Sequence, residues 1–529
     1  MTTSIRNAVL TALSVLPTVQ SYAQIPVRVA NTAVLRAKAE CADDPSCTCQ
    51  VLRDNLSGVN STLFPSDEAA YVDFENENYS AACRLPAACI VNPKNAQEVS
   101  TVVKILSQTG TKFAVRSGGH NYIPGFASID EGGVLISLSK LNSTELSGDK
   151  KTANIGPGNR WQAVYETLVP EGLIVIGGRV GPVGVGGLML GGGLSYFATQ
   201  RGLALGKFAT STIFFPSTYF PRLDNVKSYE VVLADGSVVT ATVDNAYSDL
   251  YKGLRGGASN IGIVTNYELY TYPAGDFYID ARAYSPNQTS DFLQAVAEYQ
   301  KEGQLDPLSS IQLVETGPTI LLLYNKAVQE AKAFDAFYNL GTYTPILPAF
   351  NGTMLDILAL TGSRFSTGDI RTYGETFTHE ADGDLMVELY GIFQEEIANL
   401  PSGASGVWVP NPIAASVATV GKQSNGGNLL GLQEVPQQWY EWFVTWTNAE
   451  DDTTIWNVTQ RITQRCTDAT KAKGLSLPYL FMNTAGKKQN VLDSYGSQNV
   501  AIIKATANKY DPGQVFQNLQ NDGFLIRKL

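Results

Sequence analysis

Between Gly177 and Gly193 the chain reads GGRVGPVGVGGLMLGGG, nine glycines in 17 residues, and no other stretch limits the fold so tightly. A flexible linker is rich in Gly and Ser and poor in Val, Leu and Met. Here glycine is interleaved with apolar residues, as expected of backbone packed against a large flat ligand. No Lys-Ser/Thr follows the glycines, so the run is not a nucleotide P-loop. The dinucleotide spacing Gly-x-Gly-x-x-Gly fails from Gly184 and Gly186, because Met189 stands where the third glycine belongs.

Two further glycine turns flank this run. Val115-Arg116-Ser117-Gly118-Gly119-His120-Asn121-Tyr122 reads as a strand running into a turn, with one of only two histidines directly after the glycines. Paired glycines let backbone N–H groups approach a phosphate. The other histidine, His379, has no such surroundings. The third turn is Arg255-Gly256-Gly257-Ala258-Ser259-Asn260-Ile261-Gly262-Ile263-Val264-Thr265.

Around these turns, periodicity predicts a mixed α/β unit from about 90 to 272. A helix is expected over 95–107 with Asn95 as N-cap, and strands over 112–116 and 133–138. A helix is expected over 161–168, and a hairpin over 228–243 turning at Asp235-Gly236. From about 277 to 479 the glycines thin out. Strands at 277–283, 320–324 and 429–432 alternate with helices at 290–301 and 327–338, which reads as a second α+β unit. The last stretch, 491–529, is expected to be helix and then coil.

Net charge is −11, and no basic run offsets it. Nucleic acid and anionic membrane are therefore excluded as partners. The start, MTTSIRNAVLTALSVLPTVQSYAQ, has a basic flank at Arg6, an apolar run and small residues at Ser21 and Ala23. It reads as a secretory signal cleaved after Ala23. Seven Asn-x-Ser/Thr sites (Asn55, Asn60, Asn78, Asn142, Asn287, Asn351 and Asn457) agree with secretion. Of the six cysteines, Cys41, Cys47, Cys49, Cys83 and Cys89 precede residue 90, and Cys466 stands apart. They read as disulfides stapling an N-terminal cap, with all pairings open, and no metal site is expected.

The three glycine turns, in this order, resemble the PCMH-type FAD-binding domain of the vanillyl-alcohol oxidase superfamily, in the fungal form of the berberine bridge enzyme-like oxidases. The resemblance covers about 85–275. It resumes at Phe481-Met482-Asn483, Ser494-Tyr495-Gly496 and 510–517. It implies an α+β fold, with FAD between two α+β subdomains and a separate antiparallel-sheet substrate domain over the flavin ring. The implied organisation is a signal peptide at 1–23, a cap at 24–84, the FAD-binding domain at 85–275, the substrate domain at 276–480, and a return to the FAD-binding domain at 481–529.

The same resemblance implies that Arg116, Ser117, Gly118 and Gly119 cradle the pyrophosphate and that His120 bonds covalently to the flavin 8α-methyl. Gly184, Val185, Gly186, Gly187, Gly191, Gly192 and Gly193 would line the flavin, with Asn260, Gly262 and Ile263 farther along. Many relatives carry a cysteine that makes a second covalent bond. Val180 takes that place here, so one bond is expected. The aromatic that often follows the third glycine of GGG in plant relatives is Leu194 here, and Val183 falls near a position that gates oxygen. The implied reaction is hydride transfer from an alcohol, sugar or natural product to flavin and then to O₂. Two other readings stand beside it: an oxidative cyclase or dehydrogenase of secondary metabolism, and an inactive secreted glycoprotein of the same fold. Tyr479 and Tyr495 are the candidate bases, with aromatic packing as their competing role. A monomer acting on a small molecule is expected.

Between Leu205 and Asp224 the family pattern is interrupted. Removing Gly206–Leu223 restores GLALDNV. A retained intron and a genuine surface loop both account for the insertion.

Overall fold

The computed structural model describes residues 41–206, 225–313, 317–362, 368–422 and 427–529. The expected signal segment and nearly all of the insertion lie outside these residues. Among the described residues the chain forms four sheets.

The first sheet holds β1 (Thr62–Leu63), β2 (Cys89–Val91), β3 (Lys112–Arg116) and β4 (Gly133–Ser137), in the order β1-β2-β4-β3. β4 runs parallel to both β2 and β3. A parallel connection needs a crossover, and the helix Ala96–Thr109 supplies it. Asn95 caps that helix by accepting from the Glu98 N–H at 2.9 Å. The second sheet holds β5 (Thr144–Leu146), β6 (Thr152–Ile155), β7 (Leu173–Val175), β8 (Val226–Val232), β9 (Val238–Thr242) and β10 (Ile263–Pro273). β8 and β9 form the expected hairpin, with Gly236 in the left-handed region at φ 76°.

The third sheet is β11 (Phe277–Ala283), β12 (Ser309–Leu313), β13 (Thr319–Tyr324) and β14 (Thr344–Gly352). The fourth is β15 (Arg371–Glu380), β16 (Ser405–Ile413), β17 (Gln437–Trp446) and β18 (Ser476–Leu477). All pairings in these two sheets are antiparallel. One shared core lies under both, built by the helices Thr289–Lys301, Gly383–Ile397 and Asp452–Ala472. Alternation along a strand sends neighbours to opposite faces. Tyr440 and Trp442 of β17 enter that core, while Glu441 and Phe443 face a cavity on the other side.

Two local expectations fail. Leu429–Leu432 is not a strand. Its leucines are buried in an apolar cluster with Trp439 and Tyr479, so burial rather than a ladder holds it. The helix expected over 327–338 shrinks to the turns Lys332–Phe334 and Asp335–Tyr338, after Glu330 takes a left-handed φ of 50°. The cap is stapled by Cys41–Cys47 and Cys49–Cys89. Cys83 and Cys466 are buried free thiols, so the even count does not become three bonds. No helix among the described residues is long and apolar enough to cross a membrane.

Candidate functional site

The glycine run of 177–193 is divided among several partners. A Cβ on Gly177 or Gly178 would strike the buried Trp161 ring at 2.0 and 2.4 Å. A Cβ on Gly191 would meet Asn483 at 2.2 Å, and one on Gly193 would meet Ala204 at 2.6 Å. These glycines make room for protein side chains. Gly184 and Gly186 pack on Gly118 and Ser117, and together with Gly191 they line a cleft of about 260 Å³.

β3 delivers the other wall. Val115, Ser117, Gly118, Gly119 and His120 line the cleft. The Ser117 hydroxyl donates to the Pro157 carbonyl and accepts from the Gly186 N–H at 3.1 Å, tying the two glycine turns together. Gly187, Gly262 and Ile263 complete the expected lining. Met482, Asn483 and the tail residues Gln520, Asp522 and Phe524 line it as well. None of these five is among the expected site residues, although Met482 and Asn483 belong to the segment where the family resemblance resumes. Asn483 donates to the Gly187 carbonyl at 3.1 Å and accepts from the Gly193 N–H at 3.0 Å, spanning the helix Val185–Leu190.

Several of the expected residues stand apart from the cleft. Arg116 does not line the cleft. Its side chain is fully buried and its Nη2 donates to Glu77 at 2.9 Å. Val185 belongs to the core. Gly192 and Gly193 pack against Phe481, Leu203 and Ala204, not the cleft. Asn260 is buried one step behind it. Its amide donates to the Phe524 carbonyl at 2.9 Å and its Oδ1 accepts from the Ile526 N–H at 2.9 Å, pinning the C-terminal tail. Tyr479 and Tyr495 stack at 5.9 Å within an apolar cluster and line neither cavity described here.

His120 is half-buried at the cleft and stacks on Tyr79 with ring centroids 4.5 Å apart. Burial, and after it the charge of Arg160, push its pKa down to about 4. The imidazole is therefore neutral at neutral pH and keeps a nucleophilic lone pair. A floor of close-packed glycine backbone beside a neutral imidazole fits a flat, phosphate-bearing cofactor.

Val180 lies apart from this cleft. It lines a second cavity of about 120 Å³ between the 177–183 loop and the two antiparallel sheets. Ten of the fourteen residues around that cavity are aliphatic or aromatic, and the polar four are Arg179, Gln312, Thr361 and Glu441. Arg179 is held in place: its Nη2 donates to Asn411 Oδ1 at 2.7 Å, and its carbonyl accepts from Thr361 at 3.2 Å. Burial lowers its pKa, and Tyr196 and Glu441 oppose the shift. Glu441 lines this cavity and is not among the site residues expected from the sequence. Its signal is a lone carboxylate in the aromatic strand Trp439-Tyr440-Glu441-Trp442-Phe443.

An FAD binding domain family matches residues 87–213. An FAD-dependent monooxygenase of Arthrobotrys oligospora, AOL_s00215g279, is 40% identical over 484 residues, covering 91% of this chain and 90% of its own. The chain belongs to this family of FAD-dependent oxidoreductases. The bifunctional solanapyrone synthase of Alternaria solani is 33% identical over 508 residues, covering 94% of this chain and 92% of its own. The wild-type berberine bridge enzyme-like protein 1 of Physcomitrella patens shares the fold of this oxidoreductase at a TM-score of 0.71 and 16% identity, covering 90% of this chain and 99% of its own. The glucooligosaccharide oxidase of Acremonium strictum, described with a 6-S-cysteinyl, 8α-N1-histidyl FAD, shares it at 0.70 and 17%, covering 90% and 99%. The chain is thus an FAD-dependent oxidoreductase, and the cleft beside His120 is lined largely by residues of the matched FAD-binding domain.

Proposed function

We propose that this flavoenzyme is an extracellular oxidase of an apolar natural-product alcohol, with FAD tethered through His120 alone. The observation that carries the reading is the second cavity, where Arg179 and Glu441 stand among ten apolar side chains beside Val180. Bound FAD would supply the hydride acceptor and pass the electrons to O₂.

The chain's own residues do the rest. Glu441 takes the proton of the substrate hydroxyl as the carbon loses hydride. Arg179 holds the oxygen and offsets the charge that develops on it. The aliphatic lining binds the body of the substrate and keeps water out. Such a lining suits a sugar poorly, because a sugar brings many hydroxyls that must each find a partner. Val180 cannot form a thioether, so the single tether rests on His120.

Secretion is supported by the cap disulfides and by six of the seven sequon asparagines standing exposed. The seventh, Asn78, is buried and donates to the Cys83 carbonyl at 2.9 Å. The names of the relatives favour a second reading, insertion of one oxygen atom. Turnover of an alcohol panel under labelled O₂ separates the two. One H₂O₂ per substrate with no label in the product supports the oxidase; label in the product overturns it. A colourless purified protein overturns both.

A further inference from the structure

The segment Glu77–Arg84 has one short 3-10 turn of its own, Ala81–Cys83, yet it bridges the His120 turn and the start of β15. On one side the Tyr79 N–H donates to the Gly119 carbonyl at 2.7 Å, and its ring lies 23° from the plane of the His120 imidazole. Gly119 has φ 68°, and a Cβ there would sit 2.6 Å from the Glu77 carbonyl oxygen, so the two backbones are pressed together. Glu77 also pairs with the buried Arg116, the last residue of β3. On the other side the Ala81 N–H donates to the Ile370 carbonyl at 2.9 Å, and the Ser80 hydroxyl accepts from the Thr372 N–H at 2.9 Å. Past the end of the segment, Cys89 is bonded to Cys49 of the helix Pro45–Asn55.

We propose that Glu77–Tyr79 is the positioning device for covalent flavin attachment: it fixes the plane of the His120 imidazole toward the cofactor, and the Cys49–Cys89 bond keeps it in place. This rests on the reading that His120 is the tether. A covalent bond between two held groups forms fast only when the reacting atoms are aligned. An imidazole turns about its side-chain bonds until a neighbour restrains it, and Tyr79 stacks on this one. The low proton affinity of His120 keeps the attacking nitrogen unprotonated. In the step itself an N–C bond replaces one C–H bond of the 8α-methyl. The methyl and the imidazole each lose one proton, and the two electrons released go to O₂, which leaves as H₂O₂.

The test compares wild type, Tyr79→Ala, Tyr79→Phe, Cys49→Ser and His120→Ala, each purified from cells supplied with riboflavin. Total flavin is read from the native absorbance, tethered flavin from what stays with acid-precipitated protein, and folding from the melting temperature. Tyr79→Ala is expected to keep total flavin while its tethered fraction drops by about tenfold or more, the scale set by misalignment. Cys49→Ser lowers the tethered fraction in the same direction, Tyr79→Phe matches wild type, and His120→Ala has none. A Tyr79→Ala protein with a wild-type tethered fraction overturns the proposal. So does one that loses total and tethered flavin in proportion. If wild type itself releases all its flavin in acid, the tether reading fails and this inference falls with it.

Discussion

Gly118 and Gly184 meet backbone to backbone. A Cβ on Gly118 would lie 2.4 Å from the Gly184 Cα, and one on Gly184 would lie 2.5 Å from the Gly118 nitrogen. Both atoms met are main chain, so neither can swing aside. Gly118→Ala and Gly184→Ala are each expected to cost about 1 to 3 kcal/mol by overpacking and to open the cleft floor. Flavin content of the purified variants, with their melting temperatures, checks this. Gly187→Ala is the control, since a Cβ there meets nothing within 4 Å and the fold should hold its melting temperature.

Glu441→Gln should leave flavin binding intact, because Glu441 lines the second cavity and not the FAD cleft. The rate of flavin reduction by substrate should fall by about 10² to 10⁴, the range for a lost general base. Anaerobic stopped-flow absorbance measures that step directly. A rate within twofold of wild type would remove Glu441 from the mechanism.

Tyr479→Phe should leave turnover unchanged. The hydroxyl is buried with no hydrogen-bond partner among the described residues, and the ring packs between Trp439 and Tyr495. Removing a buried hydroxyl without a partner is neutral or stabilising, by up to about 1 kcal/mol. Steady-state kinetics and denaturant unfolding on the same preparation check both halves.

Stability should fall as pH drops from about 6.5 to about 4. His379 is fully buried in β15, and burial pushes its pKa down to about 4, opposed by its bond to the Glu380 carbonyl and by Asp382. In the unfolded chain the ordinary histidine value near 6.5 returns, so across this window the unfolded state binds the extra proton. Stability is therefore fully present above the window and lost as acid is added. Between about pH 7.5 and about pH 5 the loss from His379 is on the order of 2 kcal/mol. His379→Gln should flatten that part of the curve in urea unfolding.

Excising Gly206–Leu223 should yield a folded, flavin-binding protein. The ends of the insertion are already joined in space: the Asn225 N–H donates to the Gly206 carbonyl at 3.1 Å. Asn225 is anchored independently, to the Arg201 and Leu203 carbonyls and to Tyr272. Loss of soluble expression on excision would count against this reading.

The strand and helix content of the first unit was legible because local signals carried it. Asn95 caps its helix, Asp235-Gly236 turns its hairpin, and β3 runs straight into Ser117 and Gly118. The same signals misled at Leu429–Leu432, where the leucines are buried in an apolar cluster and the Leu429 N–H donates to the Arg255 carbonyl rather than to a neighbouring strand. Arg116 shows a related limit. Its place beside two glycines suggested an anion, but its partner Glu77 lies 39 residues earlier, and only folding brings them to 2.9 Å.

By itself, then, the sequence determined that this chain brings glycine backbone close together beside one histidine, because close backbone approach requires glycine wherever it occurs. It could not show which glycines line the cleft and which make room for Trp161, since a missing Cβ carries no direction. Only the tertiary structure decided that. It also placed Glu441 and Arg179 in one cavity. They lie 262 positions apart, one on a central strand of the fourth sheet and one in a loop of the glycine run, and strand alternation sets the side chain to one face without saying what that face meets.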